Sequence, residues 1–338
     1  MNSIHENIVW DNHACMPLRP NDISFLPRLE MHHKAGFDVV SLNIGFADQS
    51  WEQHLDMAKS FRDWVFKNHE NYLLVTNTDD IFVAKKTNRL GIFFDVEGSK
   101  VIEGKLERVS QLYDLGVRWM SLAYNHSNIY AGGCLPDEDS GLTSAGRALL
   151  TEMQNVGMLT CCSHTGLRTA AEAIEYCTQP TIFSHSNCSA LWNHPRNIPD
   201  EIISLCASKG GVIGVSGVGA FIQKSGADVT SWIKHVEHII NLVGSEHVGI
   251  GLDYVFDQQE MIEYLEQNPA LFASEDRRKK QFPIISPSQL VEMYEGLNLI
   301  GLDQGSIDKV LGGNFMRVAS QVWKRSSVDL KIETSNKI

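Results

Sequence analysis

The chain lacks any surplus of positive charge: 29 Lys and Arg stand against 41 Asp and Glu, a formal net charge of −12. That balance argues against a general nucleic-acid binder, which needs a basic face to displace counterions. Long apolar runs are missing too. The longest low-charge stretch, "GGVIGVSGVGAFI", is too short and too glycine-rich to span a bilayer, so no membrane partner is expected. The start, "MNSIHENIVW", has no basic segment leading into an apolar run and does not read as a secretory signal. Seven cysteines, an odd number at irregular spacing, do not make a disulfide framework. A reducing cytoplasm is the simplest compartment. No Pro/Gly/Ser-rich linker and no internal repeat divides the chain. A doubly wound open sheet would want a glycine-rich phosphate loop after its first strand, and "DNHACMPLRP" is nothing like one.

What is present is a soluble globular composition, 338 residues of which 43% are hydrophobic, enough to bury a large core without staples. Short β-branched runs recur at 7–16, 37–46, 90–98, 117–125, 158–164, 180–186, 210–217 and 247–254, with helix-like segments between them. Near-continuous apolar strands alternating with helices imply a parallel sheet covered by helices. Eight such units are the count at which the sheet closes, so the expected fold is α/β, a (β/α)8 TIM barrel. One domain is read over 1–325, with a peripheral C-terminal tail at 326–338. Residues 70–90 read as an additional strand and short helix, and the charged stretch 255–285 as a long loop covering the site.

In such a barrel, side chains at the C-terminal strand ends converge on the active site. Those ends carry Asp11, His13 and Cys15, which share one side of a regular strand, then Asp95 and Glu97, Tyr124 and Asn125, His164, His185 and Asp253. Each has an ordinary structural reading alone: Glu97 in "DVEG" can cap a turn, and Arg196 in "HPRN" reads locally as a solvated turn arginine. Collected at one rim they carry a joint desolvation cost, which a cation removes. His and carboxylate donors suit zinc with an open position for water, and a metal pair bridged by one carboxylate activates water for hydrolysis. An opposing acid/base must then move the proton, and Asp253 is placed for it. Cys161 and Cys162 in "TCCSH" face opposite ways and read as packing residues.

The runs "FSHSNCSALWNHPRNIPDEIISL…GGVIGV" (183–215), "SHTGLRTAAEAI" (163–174), "FDVEG" (94–98) and "GIGLDY" (249–254) resemble the renal or membrane dipeptidase family, peptidases related to the amidohydrolases, in its bacterial-type members. The resemblance runs from about residue 8 to "LGGNFMRV" (311–318). It implies a two-zinc barrel acting on dipeptides, and suggests a homodimer. On it, Glu97 matches the bridging carboxylate, His164 and His185 the histidines of one metal, and His13 the histidine of the other. Arg196 falls on the arginine that binds the substrate carboxylate, reversing its local reading. Asp253 falls on the aspartate that handles the proton and meets the substrate amino group. Three positions depart from the family pattern. Cys15 stands where an aspartate ligand is usual, Tyr124 where a histidine contacts the scissile carbonyl, and Lys100 where a histidine is common. Cys15 leaves three outcomes: a two-zinc site with a thiolate ligand, a one-metal site, or a metal-binding homologue without turnover. Another small amide, lactone or phosphoester is the rival substrate.

Overall fold

The computed structural model describes residues 7–135, 137–273, 276 and 283–324. Among these residues ten strands form one sheet: β1 (Trp10–Cys15), β2 (Val39–Phe46), β3 (Tyr72–Leu74), β4 (Leu90–Glu97), β5 (Val117–Ser121), β6 (Leu159–Cys161), β7 (Ile182–Phe183), β8 (Val212–Val215), β9 (Val248–Ile250) and β10 (Tyr254–Val255). Eight of them run in the order β1-β2-β4-β5-β6-β7-β8-β9, all parallel, and pairing of β1 with β9 closes the barrel. These eight are the eight runs legible in the sequence. The segment 70–90 holds the expected extra pieces, β3 and the helix Thr78–Lys86, with β3 pairing the start of β4.

The strands are apolar almost throughout because both of their faces are covered. Outward residues such as Val40, Leu42, Phe94 and Met120 pack in the large layer between sheet and helices. Inward residues change character as they climb. At the N-terminal end Trp10, Val39, Phe93 and Trp119 fill the barrel and meet Phe315, Val318 and Val322 of the helix Asn314–Val322. Toward the C-terminal end the same inward rows become Asn43, Asp95, Glu97 and Ser121, all buried. The register sets Asn43 opposite Asp95 on neighbouring strands. A period of two thus delivers apolar filling below and donors and acceptors above.

Three expectations need correction. Asp11 does not share a face with His13 and Cys15, because the β1–β2 register shifts between Asp11 and Ala14. The stretch 255–285 is not simply a loop: its described part carries β10, the helix Gln258–Gln267 and a short turn of helix at Pro269–Leu271. Met261, Tyr264 and Leu265 give that helix an apolar stripe at helical spacing, which its charge obscures in sequence. Arg196 is buried, so the solvated reading of "HPRN" fails. The tail 326–338 lies outside the described residues. Among the described residues no helix is long and apolar enough to cross a membrane.

Candidate metal centre

Glu97 ends β4 with its side chain inside the barrel, followed by Gly98 at φ 101°, a conformation that favours glycine. The Gly98 N–H donates to Ser121 Oγ at 2.7 Å, fixing the turn that leaves Glu97 pointing inward. Three imidazoles surround one oxygen of Glu97. Oε1 lies 2.9 Å from His164 Nε2, 3.1 Å from His185 Nε2 and 3.4 Å from His13 Nε2.

Each histidine is held from its far nitrogen. His13 Nδ1 donates to Asp95 Oδ2 at 3.2 Å, and Asp95 in turn accepts from Ser41 Oγ at 2.5 Å and Asn43 Nδ2 at 3.0 Å. His164 Nδ1 donates to Asn125 Oδ1 at 2.8 Å, while Ser184 Oγ sits 2.8 Å from His185 Nδ1. An imidazole that spends its proton at Nδ1 keeps a lone pair at Nε2. His164 Nε2 and His185 Nε2 nonetheless face each other at 2.9 Å, and Glu97 Oε1 has no hydrogen-bond donor. Lone pairs and a carboxylate oxygen converging in a buried space repel unless a cation sits among them.

The electrostatics tell the same story. Burial holds His164 and His185 well below the usual imidazole range, with the positive charges of Arg196 and His13 adding to it, so both are neutral donors. Burial pushes Glu97 up to about 8 against the pull of His13. His13 goes the other way: burial works to lower it, but Asp95, Cys15 and Glu97 together raise it well above the usual value. Burial also raises the Cys15 thiol, opposed by His13.

Two groups of side chains have spacing that fits a metal: Glu97, His164 and His185, and His13, His185 and Asp253. Cys15 stands beside the second group, its Sγ 3.4 Å from His13 Nε2 and 3.6 Å from Asp253 Oδ1. Asp11 is not among them. Its Oδ2 meets His32 Nε2 at 3.0 Å and its Oδ1 accepts the Leu252 N–H at 2.9 Å, tying β1 to the end of β9. Asn125, His164 and Asp253 all have positive φ, 60°, 65° and 58°, a strained setting that the surrounding contacts must hold in place.

Above the donors lies a cavity of about 190 Å³, lined by Cys15, Glu97, Tyr124, His164, Arg196 and Asp253 among others. Tyr124 stacks on His164 with centroids 4.4 Å apart and lines the cavity. Arg196 donates from Nη2 to the His185 carbonyl at 3.3 Å, lies 5.2 Å from the Phe221 ring, and leaves its buried Nε without a partner among the described residues. Asp253 is raised by burial, which His13 and Arg196 oppose. Lys100 is outside this cavity; it pairs with Asp48 at 2.5 Å at the exposed rim. Cys161 faces the barrel interior, 3.0 Å from Ser184 Oγ, and Cys162 packs in the outer layer. All seven cysteines are unpaired.

The family model of the membrane dipeptidases, peptidase family M19, matches residues 28–278. The chain belongs to this family. Glu97, His164, His185, Arg196 and Asp253 fall within the matched span, whereas His13 and Cys15 precede it. Among curated relatives, an uncharacterized dipeptidase of Schizosaccharomyces pombe is 34% identical over 203 residues, 57% of this chain and 48% of the relative. Dipeptidase verJ of Clonostachys rogersoniana is 27% identical over 251 residues, 74% of this chain and 60% of the relative. The aligned part thus spans roughly half the length of these relatives. An amidohydrolase from Pseudomonas aeruginosa superposes with a TM-score of 0.86 at 24% identity, covering 95% of this chain and 98% of that one. A metallopeptidase from Rhodobacter sphaeroides, solved with a phosphinate mimic of the dipeptide L-Ala-D-Ala, gives 0.78 at 18% identity, covering 94% and 100%. These solved structures share the fold of this M19 member.

Proposed function

We propose that this protein is a zinc-dependent dipeptidase. The observation that carries the reading is the donor set around Glu97 Oε1: a buried carboxylate oxygen with three imidazole nitrogens within 3.4 Å fits a cation, which would take the place of the protons that hold the metal-free site together. Glu97, His164 and His185 would hold one zinc, and His13, Cys15 and the shared Glu97 the other. Bound there, zinc supplies Lewis acidity and lowers the pKa of water toward neutrality.

The chain's own groups do the rest. Arg196, buried with a free Nε beside the cavity, receives the C-terminal carboxylate of the dipeptide in a charge-assisted bond. Asp253, with a carboxyl raised by burial, takes the proton from the attacking water and returns it to the leaving nitrogen, and it faces the free amino group. The Tyr124 hydroxyl donates to the oxygen that gains charge as the carbonyl becomes tetrahedral. The seven unpaired cysteines fit work in the cytoplasm, where Cys15 stays reduced.

A panel of dipeptides tested against zinc-loaded protein decides the matter. The reading expects release of free amino acids, lost on chelation and restored by zinc. Turnover of N-acyl amino acids, lactones or phosphoesters with none of dipeptides would replace it.

A further inference from the structure

Four aromatic rings close one side of the cavity, and the chemistry above does not use them as a group. Phe46 ends β2, Tyr124 follows β5, Tyr264 belongs to the helix Gln258–Gln267, and Phe272 follows the turn at Pro269–Leu271. Each ring touches the next. Centroids lie 5.0 Å apart for Phe46–Tyr124, 5.1 Å for Phe46–Tyr264, 6.3 Å for Tyr124–Phe272 and 6.1 Å for Tyr264–Phe272. The last three pairs meet edge to face, at 71°, 89° and 87°. Tyr124, Tyr264, Phe272, Met261 and Leu265 make a hydrophobic cluster separate from the barrel core, and all of them line the cavity together with Phe46. An apolar cluster that borders a cavity instead of filling it leaves ring surface for an occupant.

The order of strands says which part of a dipeptide reaches it. Phe46 and Tyr124 rise from the β2–β5 sector, whereas Arg196 and Phe221 follow β7 and β8, across the barrel. On the dipeptidase reading, on which this inference rests, the C-terminal carboxylate sits at Arg196 and the amino group at Asp253. The side chain turned away from Arg196 is then that of the N-terminal residue. Ionic recognition is not what the ring patch offers. Asp257 and Glu260 also line the cavity, but Arg19 holds them at 3.1 Å and 2.9 Å, and Lys100 holds Asp48. We propose that Phe46, Tyr264 and Phe272, with the edge of Tyr124, form a subsite for a large apolar or aromatic side chain on the N-terminal residue of the substrate.

The test compares kcat/KM of the zinc-loaded full chain for Phe-Ala, Ala-Phe, Ala-Ala and Glu-Ala. Burial of one aromatic side chain predicts Phe-Ala over Ala-Ala by roughly tenfold or more, with Glu-Ala below Ala-Ala and Ala-Phe gaining much less. Tyr264→Ala should cut the Phe-Ala to Ala-Ala ratio at least threefold, and Phe272→Ala likewise. Tyr264→Leu, which keeps apolar volume beside Met261 and Leu265, covers the case in which the alanine variant fails to fold, and it should lower the ratio less. A merely structural role would depress both substrates together and leave the ratio alone. A ratio near one in the native protein, or a ratio unmoved in a folded Tyr264 variant, overturns the subsite while dipeptide hydrolysis stands. Hydrolysis of none of the four overturns the dipeptidase reading itself, and the subsite with it.

Discussion

His13 Nδ1 lies 3.2 Å from Asp95 Oδ2, and this contact turns the Nε2 lone pair of His13 toward Glu97. Asp95 is fully buried and serves no other histidine among the described residues, so its role is separable from ligation. Asp95→Asn keeps the shape but removes the charge that fixes the tautomer and makes His13 a stronger donor. Metal affinity at the His13 position should fall roughly 10–100-fold. Competition with a chelator measures it, and the Glu97–His164–His185 position should hold its metal at lower chelator strength in both proteins.

Cys15 predicts a spectroscopic signature. Its sulfur is 3.4 Å from the lone-pair nitrogen of His13, near enough to share a metal with it. Cobalt substituted for zinc should show a sulfur-to-cobalt charge-transfer band in the near ultraviolet, absent from Cys15→Ser. Cys15→Asp should retain two bound metals without the band. An identical spectrum in native and Cys15→Ser protein would remove Cys15 from the ligand set.

Metal uptake should release protons at neutral pH. In the metal-free site burial pushes Glu97 up to about 8 and its acidic neighbours raise His13 well above 6.5, so near pH 7 the pair holds protons that a cation must displace. Apparent zinc affinity therefore rises as pH rises through about 8. The stability of the metal-free fold changes in the opposite sense. Glu97 binds its proton more tightly folded than unfolded, from a usual value of 4.5, so its contribution is lost as pH climbs from about 4.5 to 8. His13 has the same sign. His164 and His185, depressed by burial, have the opposite sign, but their contribution is complete once pH passes the ordinary 6.5. Above that point the gain in Tm on adding zinc should grow up to pH 8. Calorimetry in buffers of differing ionisation heat counts the protons; zero released at pH 7 would contradict the assignment.

Asn125 connects a ligand to the cover of the site. Its Oδ1 accepts from His164 Nδ1 at 2.8 Å while its Nδ2 donates to the Leu271 carbonyl at 2.8 Å, and neighbouring His126 reaches the Ala270 carbonyl at 2.6 Å. Asn125→Gly tolerates the φ of 60° but removes both side-chain bonds together with the one that Oδ1 accepts from Cys134 Sγ at 3.3 Å. Expected are faster hydrogen exchange in the helix Gln258–Gln267 and weaker metal binding at His164, again about 10–100-fold. His126→Ala should loosen the helix alone.

Much of this is legible in the sequence. The eight barrel strands stood out because burial on both faces writes a strand as an apolar run, and the extra piece at 70–90 was visible as surplus. Glu97, Tyr124, His164, Arg196 and Asp253 line one cavity, and the fully buried His13 and His185 lie within ligand distance of members of that set, because strand ends in a barrel converge wherever they lie in sequence. The supports were harder to see. Asp95 was visible at the rim, two residues before Glu97 and therefore on the same inward row, but its partner His13 is 82 positions away. Asn125 stood at the rim without a role and Ser184 was not named; their parts appear only in contact with His164 and His185. The bulge that turns Asp11 aside depends on pairing with β2, which local alternation cannot register. Arg196 deceived locally because burial and an unfilled Nε arise from segments distant in sequence.

The most direct measurement is dipeptide turnover by Asp253→Asn protein alongside its zinc content. Asparagine cannot move the proton, so with zinc content unchanged the account predicts kcat lower by about 10²–10⁴-fold on every dipeptide the native protein cleaves. Native-level turnover in that variant, or in native protein stripped of zinc, would contradict it.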